Sequence, residues 1–492
     1  MYDTLPADLA ATGPILLVAF LGVAVVLVDS FRNDSPLIPW LAGGGMALAG
    51  IWQAFQVGAE GTAFYGELYV GGAAAIANLV VLVGAVASLV LTVPYLSRLG
   101  RNYGEVHALI LFATAGMMTL ASAGSLVTLF VGLETMSVCL YVLTGLVREE
   151  STANESALKY FLLGAFSTGF FLYGLALLYG ATGTMQIGGL AAGLAETGRT
   201  GLFLAGLGLL LVGFFFKVSA VPFHMWTPDV YQGAPTSLTA FMSTASKAAT
   251  FAALAVVLSR ALPPDLVTGT VQLTLAIVAV VTMVVGNVIA LVQSNVKRML
   301  AYSSVAHAGY ILAGLAAGTA AGYGGALFYL LAYTLMNVGA FAVMGALEWD
   351  GEQGADQDLD SLAGIGYRKP FLGVAMGVFM FALTGFPPLA GFIGKYLVFA
   401  AAVDAGLTWV AIIGVLASVV SGYYYLRVLV VMWMRDPDEA PDNAKQPFPV
   451  GTATAAVVAA CAVALLLLGV LPAGVIDATA SAFGADAVAA LP

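Results

Sequence analysis

Residues 206–236, GLGLLLVGFFFKVSAVPFHMWTPDVYQGAPT, begin as an apolar helix and then stop being one. Lys217 sits inside the apolar run. Five residues on, Pro222 removes a backbone donor and predicts a break. Pro228, Gly233 and Pro235 follow, and a new apolar helix then carries a second lysine, Lys247. Ionisable residues at this depth in hydrocarbon-length segments are expensive to keep. Irregular backbone at membrane depth is tolerated only against protein or a water-filled cavity. The stretch therefore predicts an ion path through a membrane.

The rest of the composition agrees with that setting. Of 492 residues 61% are hydrophobic and 9% charged, with a mean hydropathy of +0.97, whereas a soluble domain carries about 25% charge. The expected fold is an all-α polytopic membrane protein. The net charge of −10 is spread over loops and leaves no nucleic-acid footprint. Cys139 and Cys461 fall in apolar spans, and two cysteines cannot hold an iron–sulfur cluster, which takes four cysteine-type ligands. The opening MYDTLPADLA lacks the basic region of a signal peptide, so the first span is expected to stay in the mature protein. No phosphate-cradling glycine loop, zinc-ligand spacing or nucleophile elbow is present in the sequence.

A crossing takes roughly 20 apolar residues. Fourteen are expected, at 12–30, 37–57, 73–96, 106–122, 125–147, 157–181, 201–221, 236–260, 271–292, 299–317, 322–347, 371–403, 408–433 and 450–470. The twelfth contains its own break at Pro387 and Pro388, and the stretch after Pro472 is expected to be a short surface segment. Of seventeen basic residues, eleven lie in or beside loops after odd-numbered spans, and only Arg199 and Arg260 follow even-numbered ones. The positive-inside rule then makes the odd loops cytoplasmic and puts both termini outside. The acidic loops at 348–370 and 436–449 are expected to be solvated linkers. Runs such as GGAAAIA and AGLAAGTAAG predict faces where helices approach closely.

The remaining four basic residues, Lys159, Lys217, Lys247 and Lys395, lie within spans. Glu134, in LVTLFVGLETMSVCLY, is the one acidic residue near the middle of a span. Lys247 is eleven residues into its helix from Thr236, about 16 Å along the axis. Lys159 lies only a few residues inside its span, where snorkelling to the surface competes with a role in transport. Burial disfavours a charged amine and a nearby carboxylate favours it, so a lysine between those influences can gain and lose a proton near neutral pH. Arginine stays protonated. That all four are lysine points to proton relay. His307, in YSSVAHAGY, is a candidate bridge for water wires, or else a satisfied polar group. His224, beside Pro222, is a candidate gate or uptake group, and His107 is expected at the interface.

The two broken spans, the seventh and twelfth, are five apart and each holds a lysine near its break. Paired interrupted helices point to inverted repeats, here spans 4–8 and 9–13. The expected divisions are a three-span segment at 1–105, a first repeat at 106–260, a second at 261–434, and a loop, last span and tail at 435–492.

Three segments carry a family resemblance: KVSAVPFHMWTPDVYQGAPT (217–236), NVKRMLAYSSVAHAGY (295–310) and TGFPPLAGFIGKYLVF (384–399). They resemble the antiporter-like membrane subunits of respiratory complex I, the NADH–quinone oxidoreductase, and the likeness runs from the fourth span to the thirteenth. Lysine at the second break sets the chain apart from subunit M, and the lack of a long lateral helix sets it apart from subunit L. The resemblance implies a charged pair, Glu134 with Lys217, a connecting lysine at Lys247 and a terminal one at Lys395. Lys159 matches a sixth-span lysine of less defined role. It further implies a proton-translocating subunit of a bacterial inner membrane with no redox centre or metal of its own. FMN, iron–sulfur clusters, NADH and quinone are then expected on partner subunits, and adjacent antiporter-like subunits and lipid are expected as neighbours. A Mrp-type cation/proton antiporter subunit, a membrane-bound hydrogenase subunit and a structural scaffold that moves no ions are the alternatives. Cysteines introduced at 348–360 are expected to react with a membrane-impermeant thiol reagent only from the cytoplasmic side. Labelling from outside intact cells would overturn the orientation.

Overall fold

A computed structural model describes residues 5–32, 35–98, 100, 103–347, 357–437 and 450–484. The acidic positions Glu348, Asp350, Glu352 and Asp356 lie outside them. The chain runs α1 (Leu5–Ala11), α2 (Gly13–Phe31), α3 (Leu37–Phe55), a hairpin of β1 (Glu60–Ala63) and β2 (Leu68–Gly71), then α4 (Gly72–Arg98). Next come α5 (Gly104–Ala121), α6 (Leu126–Thr144), α7 (Ser151–Thr182), α8 (Leu190–Thr197), α9 (Thr200–Val218), α10 (Thr227–Gly233) and α11 (Thr236–Arg260). The second half holds α12 (Pro264–Leu266), α13 (Gln272–Leu291), α14 (Val296–Ala316), α15 (Ala320–Leu347), α16 (Ile365–Arg368), α17 (Pro370–Thr384) and α18 (Ala390–Asp404). α19 (Thr408–Met434), α20 (Thr452–Val470) and α21 (Ala473–Ser481) complete it.

Twelve of the described helices are long and apolar enough to cross a membrane, counting Pro264–Leu291 as one. α3 falls outside that set, and the twelfth expected crossing is two 15-residue helices, α17 and α18. Burial sorts the helices by polarity. α11 is wholly buried and α14 and α15 are 94% buried over their apolar windows, against 22% for α2 and α20. The three inner helices can therefore hold polar side chains that lipid never meets. α11 buries eight: Thr236, Ser237, Thr239, Ser243, Thr244, Ser246, Lys247 and Thr250. Its hydroxyls mostly return to their own helix, as Thr244 Oγ1 donates to Ala240 O (2.7 Å) and Thr250 Oγ1 to Ser246 O (2.7 Å), so few donors are stranded.

Glycine sets the closest helix crossings. A Cβ on Gly116 or Gly132 would lie 2.6 or 2.5 Å from the facing backbone nitrogen in the α5–α6 hairpin. The same reciprocal pair recurs in α13–α14, where both Gly286 and Gly309 face a nitrogen at 2.6 Å. The second helix of each hairpin starts alike. Ser125 caps α6 by accepting from Thr128 N and bridges to Gln186, and Asn295 caps α14 by accepting from Arg298 N and bridges to Asp358. The loops sort into two ends. Glu67, Gln186 and Ser125 meet at one end, with Arg260 over the Tyr69 ring there. Asp229, Arg298 and Lys159 meet at the other, where Arg98 reaches Gly345 O and Arg435 reaches Asp360.

Three expectations need correction. The seventh span ends at Val218, before Pro222, because Ser219 takes a left-handed conformation (φ 65°) that closes the helix. The 60–71 hairpin was not foreseen; its turn residue Glu67 accepts from Thr128 Oγ1 (2.6 Å) and from Ser125 Oγ at the start of α6. The stretch after Pro472 is a helix, α21, with Ile476, Thr479 and Ala480 buried and its backbone seated on Gly324 of α15. Gly286→Val should drive a side chain into Ala306 backbone and lower stability by about 1–3 kcal/mol, whereas Gly208→Ala, with nothing within 4 Å, should be neutral or stabilising. Thermal unfolding of the two variants in detergent checks this.

Candidate functional site

Lys217 lies in the last turn of α9 and is 4% exposed. Its Nζ donates to Tyr141 Oη (3.2 Å) and stands 5.1 and 5.4 Å from the centroids of Tyr141 and Tyr160. The Tyr160 ring stacks on Trp226 at 4.5 Å, and Trp226 Nε1 donates to Phe216 O (2.9 Å), tying the loop after the break to the helix end. Glu134, half-buried on α6, accepts from Thr168 Oγ1 of α7 (2.8 Å) and forms no ion pair with Lys217 within 4.0 Å. The helix geometry explains the separation. Lys217 contacts α6 at Tyr141, seven residues beyond Glu134, which is about 10 Å along the axis. The implied charged pair is thus not in contact, and an aromatic cage holds the amine.

Lys159 does not point along a path through the core. It bridges Asp229 (2.7 Å) and Glu155 (2.6 Å), and Asp229 also takes Arg298 (2.7 Å). Arg298 further donates to Gln232 (3.0 Å), and buried Lys297 donates to Ala234 O (2.8 Å). Together with Ser156, which donates to Asp229 O (2.9 Å), these groups clamp α10 between α7 and the start of α14. His224 sits in the loop between the two helices, partly buried, with Nδ1 unpartnered among the described residues. His107 is fully buried in the first turn of α5, with Nδ1 against Tyr103 O (3.1 Å).

Deeper in the core, Lys247 donates to Ser304 Oγ (2.6 Å) and Ser304 O (2.9 Å) on α14. One turn further along that helix, His307 joins two tyrosines, Nδ1 with Tyr329 Oη (2.8 Å) and Nε2 with Tyr425 Oη (3.0 Å). Tyr425 also meets Ser303. Tyr310 packs edge-on against His307, and Lys395 Nζ stands 4.7 Å from the Tyr310 centroid. Lys395 donates to Leu383 O (3.1 Å) and Thr384 O (2.8 Å) at the end of α17. The polar groups thus run from α11 through α14 and α15 to α18. Among the described residues Lys217, Lys247 and Lys395 have no carboxylate within 4.0 Å.

Sequence reasoning missed the partners of these charges: Tyr141, Tyr160, Trp226, Ser304, Tyr329, Tyr425, Asp229 and Arg298. One signal was available, since Ser303 and His307 are four apart and share a face of α14. The tyrosines come from helices distant in sequence and carry no such signal.

Residues 123–421 match the family described as NADH:quinone oxidoreductase/Mrp antiporter, TM. That is more than half of the chain, and the chain belongs to this family of antiporter-like membrane subunits. NADH-quinone oxidoreductase subunit N of Salinibacter ruber (strain DSM 13855 / M31) is 58% identical over 499 residues, covering 100% of this chain and 99% of its own. Within the family, then, the group is subunit N, a membrane subunit of complex I. A chain of respiratory complex I from Thermus thermophilus with bound aureothin is 39% identical with a TM-score of 0.80, covering 94% of this chain and 98% of that one. A chain of the Mrp complex from Dietzia sp. DQ12-45-1b shares the fold (TM-score 0.83, 96% and 97% covered) at 21% identity. The protein is therefore a multi-pass membrane subunit of a respiratory complex, with other membrane subunits as neighbours.

Asp229→Ala should free α10 from two partly exposed cations. Each bridge is worth about 0.2–1 kcal/mol, so local opening should rise roughly two- to thirtyfold. Glu155→Ala should change little, because Lys159 keeps Asp229. Limited proteolysis around α10 in detergent separates the two.

Proposed function

We propose that this chain translocates protons through a relay of buried amines, driven by quinone reduction on partner subunits. The row of buried titratable groups from Lys217 through Lys247 and His307 to Lys395, its middle members on the most buried helices α11 and α14, carries this reading. Protons are taken up at the basic, cytoplasmic end near His224 and the Lys159–Asp229–Arg298 cluster and load Lys217. They then move laterally by Lys247, Ser304 and His307, with water bridging the gaps between these groups, and leave past Lys395. Glu134 controls loading. At 4 Å and an effective dielectric of 20 a carboxylate holds an ammonium by about 4 kcal/mol, roughly a thousandfold in proton affinity. With Glu134 on Thr168 that hold is relaxed, so the geometry corresponds to the open arm of the switch. FMN, iron–sulfur clusters, NADH and quinone belong to partner subunits in this scheme.

The same reading counts fourteen crossings, adding α3 and the broken α17–α18 pair, with both termini outside. It also takes spans 4–8 and 9–13 as inverted repeats. The matching glycine pairs of α5–α6 and α13–α14 support this, as do the matching capped and bridged starts of α6 and α14. Ser219 and Gly385, both left-handed, close the broken helices α9 and α17. A Mrp-type antiporter shares the fold but is the more distant in sequence. A passive scaffold gives no reason for buried amines without carboxylates.

Lys→Arg keeps charge and cannot release a proton. Lys217→Arg and Lys247→Arg should each lower proton pumping in vesicles about a hundredfold, the low end of what a positioned proton carrier contributes, with the complex assembled on native gels. Full pumping in Lys217→Arg would defeat relay at that site. Lys395→Arg should give a milder defect. Lys395→Met should also harm assembly, since two carbonyls at the end of α17 lose their donor.

A further inference from the structure

We propose that Tyr310 is a positioning residue for Lys395: its ring face, pinned through its hydroxyl by Asn287, is a seat that favours the amine only while the amine carries charge. The proposal rests on Lys395 being the last site of the relay. Lys395 Nζ stands 4.7 Å from the centroid of the Tyr310 ring, inside the roughly 6 Å over which a ring face attracts a cation. The attraction comes from the negative face of the ring, so it acts on an ammonium and lapses when the proton leaves. Water would weaken it, but Tyr310 is fully buried and Lys395 is 6% exposed. Among the described residues no carboxylate lies within 4.0 Å of the amine to mask it.

Neighbouring helices hold the ring in place. Tyr310 Oη accepts from Asn287 Nδ2 of α13 (2.8 Å). The same amide nitrogen donates to Met283 O (2.7 Å), and Asn287 Oδ1 accepts from Tyr424 Oη of α19 (2.8 Å). Turned over, the amide would set its oxygen against the Met283 carbonyl, so its orientation is fixed. Phe399 of α18 and His307 stand perpendicular to the ring, at 5.9 and 5.5 Å between centroids. The amine is held as firmly. It donates to Leu383 O and Thr384 O, and a Cβ on Gly385 would come 2.9 Å from its Cδ. Ring and amine are thus each fixed by groups other than one another. The first break differs in one respect. Lys217 also stands over a tyrosine ring, 5.1 Å from the Tyr141 centroid, but there the hydroxyl itself accepts from the amine. At Lys395 the Tyr310 hydroxyl is taken by Asn287, so Tyr310 offers the amine its face and receives no proton from it.

The test uses the assembled respiratory complex in vesicles, with proton pumping measured and assembly checked on native gels for each variant. Tyr310→Phe keeps the face and should pump nearly as the unaltered chain does. Phenylalanine carrying one, two or three ring fluorines, placed at position 310, keeps the shape and weakens the negative face step by step. Pumping should fall with each fluorine, to about a tenth at three, the size of a desolvated cation–π contact. A ring that serves only as packing is indifferent to fluorine, so a flat series overturns the proposal. A loss in Tyr310→Phe as large as in Lys395→Arg overturns it too, since the role then lies in the hydroxyl. Ring-fluorinated tyrosine keeps the oxygen that accepts from Asn287 and should lower pumping likewise, which carries the test if the phenylalanine forms do not assemble. Lys395→Arg separates this proposal from the relay. A defect there beside a flat series sinks the seat and leaves the relay standing, whereas full pumping there removes the Lys395 step and the seat with it.

Discussion

A helix that stops inside hydrocarbon exposes carbonyls that neither its own backbone nor lipid can satisfy. At α17 the accounting is complete. Gly385 N and Phe386 N serve Phe381 O, Gly385 N also serves Ala382 O, and Lys395 Nζ serves Leu383 O and Thr384 O. At α9, Ala220 N takes Phe215 O, while Ser219 N and Trp226 Nε1 share Phe216 O. Both helices can end where they do because side chains from beyond the break return to close them. The surrounding core then has to bring those side chains into position, and α11, α14 and α15 form it.

Charge burial follows the same economy. Three amines sit where a carboxylate partner would be the usual remedy, yet their contacts are a tyrosine cage, a serine with its carbonyl, and a helix end. These contacts fix the position of each amine without, among the described residues, a carboxylate beside it. The ion pairs at Lys159, Asp229 and Arg298 join partly exposed side chains, and what they organise is α10.

The class of fold, the presence of two interrupted helices and the burial of Lys217, Lys247 and Lys395 were legible because each depends on local composition: apolar length, proline and isolated lysines. The partners were not. The identity of the groups around Lys217 depends on the axial offset between α6 and α9, which places Tyr141 and not Glu134 opposite the amine. The point where α9 ends was misread because proline is a visible signal, while a serine in a left-handed conformation is not. The 60–71 hairpin is too short and too glycine-rich to stand out between apolar runs, and its role emerges only when Glu67 is seen at the start of α6.

The closure of α17 by Lys395 also has a consequence of valence. Two carbonyls need two N–H groups. An ammonium offers three, and the neutral amine left after one proton departs still offers two. The helix end is therefore satisfied in both forms, and the third hydrogen is surplus to the architecture. No other common side chain combines a removable proton with a donor count that survives its removal: a histidine would fall from two donors to one, and a protonated carboxyl from one to none. In the proposed relay, the cap at this break and the site that must empty are then one and the same residue.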